Sequence, residues 1–133
     1  MQEFRTAIER ARLGGDVDGV VALLAEDVVF RSPVVYAPYE RREAIAPLLR
    51  AVVRVFDDFR FTREIGSPEG FDHALVFRAR IGEREVEGCD FLHTNGDGLI
   101  DEFSVMVRPL SGATALAEAM KKQLAVRDTD NAT

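Results

Sequence analysis

The chain is poor in several of the residues that make chemistry easy to read. One cysteine in 133 residues cannot form an internal disulfide, and Cys89 has no histidine placed to pair with it as a nucleophile. There are only two histidines, His73 and His93, and they fall on opposite faces of the strands that carry them. With no Cys/His cluster, neither a metal site nor a bound cofactor is expected. No apolar run approaches the roughly 20 residues of a membrane helix. The opening "MQEFRTAIER" lacks the basic-then-apolar layout of a signal peptide, so a cytoplasmic protein with no membrane partner is expected. Arginines and lysines are scattered and the formal net charge is −6, which argues against a nucleic-acid surface. The glycines of "TNGDG" lie in a hairpin and do not open a helix, so they form a turn and not a phosphate loop.

What is present is an ordinary globular balance, 47% hydrophobic and 30% charged, in a chain the size of one domain. The pattern assigns residues 1–126 to that domain and leaves "RDTDNAT", 127–133, as a polar, flexible tail without periodicity. Phe4, Ile8 and Ala11 mark a first helix. After "GGD", Asp16 is placed to cap a second, carrying Val17, Val20, Val21 and Leu24. "DVVFRSP" reads as a short strand stopped by Pro33, followed by a loop with Tyr36 and Tyr39. Ile45, Leu48, Leu49, Val52, Val53 and Phe56 define a longer amphipathic helix, regular from about Ala44 and so tolerant of Pro47. From Phe59 the period becomes two, predicting a four-strand antiparallel meander, and Ser111 caps a final helix with an Ala115, Leu116, Ala119, Met120, Leu124 stripe.

Asp90 stands out because it sits among residues meant for a core. A two-residue turn at Gly82-Glu83 sets Leu75 opposite Asp90, Phe77 opposite Gly88 and Ala79 opposite Val86. A turn at Gly96-Asp97, or over Asn95–Gly98, would set Asp90 opposite Phe103, Gly88 opposite Val105 and Val86 opposite Val107. One face then carries Leu75, Phe77, Leu92, Phe103 and Val105 with Asp90 at its centre, and His73 and Asp101 nearer one end. The other face holds Arg78, Arg80, Glu85, Glu87, Cys89, Phe91, His93, Glu102, Ser104 and Met106. An ionised carboxylate in apolar surroundings costs several kcal/mol, so Asp90 requires a partner, water or a raised pKa.

The order of elements, with "GGDVDGVVALLAEDVVFRSP", "YERREAIAPLL" and "VEGCDFLHTNGDGLIDEFSVMVRP", resembles the nuclear transport factor 2-like superfamily and its SnoaL-like, polyketide cyclase-like bacterial members. The resemblance implies an α+β fold, a cone-shaped barrel in which a curved antiparallel sheet packs against N-terminal helices, with a C-terminal helix. It also implies a pocket for apolar small molecules and a homodimer. Steroid Δ-isomerases of the superfamily use an aspartate base before a proline, a first-helix tyrosine and a carboxylic acid in the penultimate strand. Asp90 matches the last, but Ser32 precedes Pro33 and Ile8 stands where the tyrosine would be, so steroid Δ-isomerase activity is not expected. The Asp–Arg–Asp set of limonene epoxide hydrolase-like members is not seen either, since Arg78 and Arg80 point outward in this register.

The leading reading is a protein that binds a small, mostly apolar molecule, with Asp90 as catalytic residue for an isomerisation, cyclisation or dehydration by proton transfer. Ser32, Tyr36, His73, Leu75, Phe77, Leu92, Phe103 and Val105 are the candidate ligand-binding residues. The alternative is a non-catalytic ligand-binding or dimerisation module. Blander roles compete at single positions: a turn or cap for Ser32, loop packing for the tyrosines, a solvated turn for His73. Phe91, Cys89, Met106 and Ile100 would form an apolar patch on the outer sheet face, predicting a homodimer through it unless the last helix covers it.

Overall fold

The computed structural model describes the backbone of residues 1–132 and the side chains of residues 1–125. The elements are α1 (Gln2–Gly14), α2 (Asp18–Val21), β1 (Leu24–Arg31), β2 (Tyr39–Glu40), α3 (Arg42–Val55), β3 (Asp57–Ile65), β4 (Asp72–Ile81), β5 (Arg84–Thr94), β6 (Ile100–Arg108) and α4 (Leu110–Ala132). The stretch expected to be a tail, 127–133, lies outside the residues whose side chains are described. The fold is α+β, as expected: one six-stranded sheet in the order β2-β1-β6-β5-β4-β3, with its outer strands β2 and β3 unpaired to each other and the helices on its concave side.

Two early boundaries differ from the sequence reading. The second helix is a single turn, and Leu24 opens β1 instead of closing α2. The cause is pairing: β1 runs parallel to β6, with Leu24 opposite Ile100 and the Ile100 N–H donating to the Leu23 carbonyl at 2.9 Å. Asp16 does not cap a helix; its Oδ1 accepts the Asp18 N–H at 2.9 Å in a local turn. The stop after α1 is as expected, with Gly15 at φ 76° donating its N–H to the Ala11 carbonyl at 2.7 Å, a left-handed cap that glycine adopts freely. α3 begins two residues earlier than expected, at Arg42, which puts Pro47 in its second turn, where one backbone donor is lost.

The β4–β5 register is the expected one, with Leu75 opposite Asp90, Phe77 opposite Gly88 and Ala79 opposite Val86. The β5–β6 register is displaced by two residues. Asp90 faces Val105, Leu92 faces Phe103 and Gly88 faces Val107. Thr94 pairs with Ile100, which makes the loop one residue longer than expected, and a bulge at Asp101 adds a second. Two single-residue steps preserve the face of every later residue, so Asp90 still points inward. Within the bulge itself the assignment fails: Asp101 turns to the outer face to meet His93, and Ile100 is buried in the core instead of joining the outer patch.

The core is split. One cluster joins Phe4, Ile8 and Ala11 of α1 to Phe30, Leu49, Leu75, Leu92 and Phe103; the other joins Val55, Ala79, Ile81, Val86 and Leu116 under α4. α4 therefore packs on the concave side and leaves the outer face uncovered. Its close approach depends on Gly112, where an added Cβ would lie 2.5 Å from Val86 Cγ1. Asp90 stands on the strip of sheet between the two clusters.

Candidate functional site

Between the clusters, the concave face and the helices enclose a cavity of about 530 Å³, within the range of small-molecule sites. Its walls come from α1 (Ile8, Arg12), the loop after β1 (Ser32 to Val35), α3 (Leu49, Val52, Phe56), the sheet (Phe59, Phe77, Phe103, Val105) and α4 (Leu116, Met120, Leu124). Phe59 stacks on Phe77 with centroids 4.8 Å apart, and Phe56 meets Phe77 edge-on at 5.5 Å. The Phe77 ring occupies the space above Gly88. A Cβ there would overlap its Cζ, and would lie 2.6 Å from Cε2 and 2.8 Å from the Met106 carbonyl oxygen. Glycine at 88 is thus what lets an aromatic wall form two residues from the carboxyl.

Asp90 lines this cavity and is 6% exposed. Its carboxyl has no hydrogen-bond or ion-pair partner among the described residues. Burial alone pushes its pKa up to about 8, so the group is a neutral acid at pH 7 with an O–H to donate. Ser32 lines the same cavity, but its Oγ already accepts the N–H groups of Val34 at 3.1 Å and Val35 at 3.0 Å. The turn role and the cavity position coexist, and the hydroxyl keeps its own proton to donate. No second carboxylate lines the cavity among the described residues.

Of the residues singled out in the sequence, Asp90, Ser32, Phe77, Phe103 and Val105 come together at the cavity. Leu75 and Leu92 share their face but are packed in the core behind it. Tyr36 is fully exposed and lines nothing; Tyr39 takes the wall, tilted against Phe30 at 6.3 Å. His73 is neither solvated nor at the cavity: it is buried, with Nε2 donating to the Gly70 carbonyl at 2.9 Å, which anchors the β3–β4 loop. The sequence reading missed Arg12, Phe30, Phe59 and the helical wall as site residues. The signal available was the width of the α3 stripe, Ile45 to Phe56, broader than packing on one sheet requires.

The outer face holds a different cluster. His93 Nδ1 lies 2.6 Å from Asp101 Oδ1, and this carboxylate pushes the imidazole pKa up. Glu102 adds a third potential ligand atom within 4.8 Å, although Arg31 already approaches it at 3.7 Å. Cys89 is half-buried there with its thiol pKa raised by burial, which makes it unreactive.

A family model for the SnoaL-like domain matches residues 2–103. No functionally curated protein matches the chain. Among solved structures, a steroid delta-isomerase from Pseudomonas aeruginosa is 36% identical, with 97% of this chain and 96% of that one covered and a TM-score of 0.85. An uncharacterised protein with a cystatin-like fold from Silicibacter pomeroyi DSS-3 is 37% identical over 93% of this chain and 89% of that one, at a TM-score of 0.80. The epoxide hydrolase/cyclase-like enzyme SalBIII, of pyran ring formation in salinomycin, shares the fold at 20% identity, covering 84% and 88%, with a TM-score of 0.63. A sheet wrapped on helices around a lined cavity, together with these matches, makes this chain a member of the SnoaL-like family, with a fold shared by isomerases and cyclases.

Proposed function

We propose that the protein binds a small, mostly apolar organic molecule carrying a carbonyl, lactone or epoxide oxygen, and that Asp90 in its protonated form donates a hydrogen bond to that oxygen. One observation carries the reading: a buried carboxyl without a protein partner among the described residues, on the wall of a mostly apolar cavity. The ligand oxygen would replace the missing partner. Hydrogen bonding of this kind polarises a carbonyl or epoxide and is the acid half of an isomerisation, cyclisation or dehydration. Steroid Δ-isomerisation falls outside the proposal despite the likeness to the Pseudomonas aeruginosa enzyme. That reaction needs a base to take a carbon-bound proton, and Ser32 has no activating base among the described residues. The absence of a second carboxylate from the described lining favours a second reading, a module that binds the same ligands without turning them over.

The test is a panel of hydrophobic ketones, lactones and epoxides, screened by thermal shift and product analysis with the wild type and Asp90→Asn at pH 6.5. Binding or turnover that changes at least several-fold in the variant supports the reading; a ligand bound equally by both removes Asp90 from it. No helix among the described residues is long and apolar enough to cross a membrane. A second copy of the chain is the proposed cover for the outer face. Phe91 and Met106, 42% and 63% exposed, lie there beside Cys89, rimmed by the Arg78–Glu87–Arg108 ion pairs.

A further inference from the structure

The cavity wall has charge of one sign. Asp90 is a neutral acid at pH 7, and the only other ionisable side chains with a charge there, among the described residues, are Arg12 and Lys121. In a protein of formal charge −6, this gives the chamber a net positive wall, the arrangement that concentrates an anionic ligand. Arg12 lies one helical turn after Ile8 on the cavity face of α1. Its guanidinium is held in place: Nη1 donates to the Phe59 carbonyl at 2.7 Å and the cation sits 5.5 Å from the Phe59 ring centroid. That bond uses one of five N–H donors, and no carboxylate lies within ion-pair distance of Arg12 among the described residues. Asp58, a nearby acid, accepts the Nε and Nη2 N–H groups of Arg80 on a single oxygen, Oδ2, and Arg12 is the weakest of the influences on it. A fixed planar fork with spare donors suits a carboxylate.

The two polar points are separated. Phe59 belongs to β3 and Asp90 to β5, with β4 between them, so the backbone carbonyl that holds Arg12 lies about two strand spacings, roughly 10 Å along the sheet, from the strand of Asp90. The surfaces between them are apolar: Phe77, Phe56, Val52 and Met120. We infer that the ligand is an amphipathic anion, an apolar body with an oxygen acceptor at the Asp90 end and a carboxylate at the Arg12 end, with Arg12 as the residue that selects for it. The inference rests on the reading of Asp90 given above and adds the ligand's second pole.

A matched pair of probes tests it, 2-undecanone and 10-oxoundecanoate, which are the same ketone chain ending in a methyl or a carboxylate. Titration calorimetry at pH 6.5 and low salt should show the oxo-acid binding about tenfold tighter. Raising the salt should shrink that advantage. Arg12→Met should abolish the difference between the probes, and Arg12→Lys, which keeps the charge, should retain part of it; the lysine variant also guards against a methionine variant that fails to fold. Equal affinity of the two probes for the wild type overturns the inference while leaving the Asp90 reading standing. So does an advantage that survives in Arg12→Met. If neither probe binds, or if 2-undecanone binds Asp90→Asn as well as it binds the wild type, the Asp90 reading fails and takes the inference with it.

Discussion

β5 carries two acid-centred arrangements on opposite faces, a few residues apart, and they solve the problem of a titratable group in opposite ways. On the concave face, Asp90 is buried without a partner and keeps its proton to about pH 8. On the convex face, His93 is half exposed, meets the Asp101 carboxylate at 2.6 Å and binds its proton more tightly for that reason. Burial without a partner favours the neutral form; a partner at the surface favours charge. The first arrangement costs stability, which is why we propose a use for it in binding. The second stabilises weakly and needs no use to explain it.

The largest effect that could break this contrast is on Asp90. Its folded pKa of about 8 lies above the ordinary 3.8, so the folded state holds a proton that the unfolded state has released. The contribution of Asp90 to stability should be greatest below about pH 4, fall as the pH rises from 4 to 8, and level off above, a loss on the order of 4 kcal/mol by pH 7. Asp90→Asn removes the titration. Chemical denaturation at pH 4.5 and pH 8 should show the variant far less pH-sensitive and more stable than the wild type at pH 8. A stability difference between wild type and Asp90→Asn that stays the same at the two pH values would mean that the carboxyl is ionised in the folded state.

Neighbouring positions on the two faces sharpen the comparison next. Gly88→Val puts carbon into the Phe77 ring and should cost about 2 to 3 kcal/mol, with loss of ligand binding, whereas Cys89→Val on the outer face should stay within about 0.5 kcal/mol. Equal effects would show that Phe77 has room to move. Phe91→Glu then probes the outer face as an interface: sedimentation equilibrium should give a folded monomer from a wild-type dimer with little change in monomer fold. A wild type that is already monomeric at micromolar concentration ends the dimer reading.

The smallest effect is on the surface pair. His93 has a raised pKa, so its contribution is fully present below the unfolded value of 6.5 and is lost as the pH rises through the folded pKa. Asp101→Asn should therefore lower the melting temperature slightly at pH 6 and leave it unchanged at pH 9. A loss that is larger at pH 9 would invert the assignment.

The contrast between faces was legible before the structure because a strand's period is two. Alternation placed Asp90 with Leu75 and Phe77, and a register error of two residues left it there. What alternation cannot resolve is a one-residue irregularity: Ile100 and Asp101, at the bulge, were both assigned to the wrong face. The parallel pairing of β1 with β6 was illegible because its partners lie some 75 residues apart with no turn between them to fix a register. The same limit applied to the site. Strand residues such as Phe77 and Val105 could be placed on the correct face, but nothing along α1 separates Ile8 and Arg12, at the cavity, from Phe4 and Ala11, in the core. Tyr36 and Tyr39 differ only in that Tyr39 enters β2 opposite Phe30, a pairing visible only after folding.

The central claim is that Asp90 is a carboxylic acid at neutral pH in the folded protein, and it is most directly tested by carbon-13 NMR of the aspartate side-chain carboxyls from pH 3 to 9. The account predicts one resonance that titrates near pH 8, vanishes in Asp90→Asn, and shifts when a ketone occupies the cavity. A carboxyl at position 90 that completes its titration below pH 5 would contradict it.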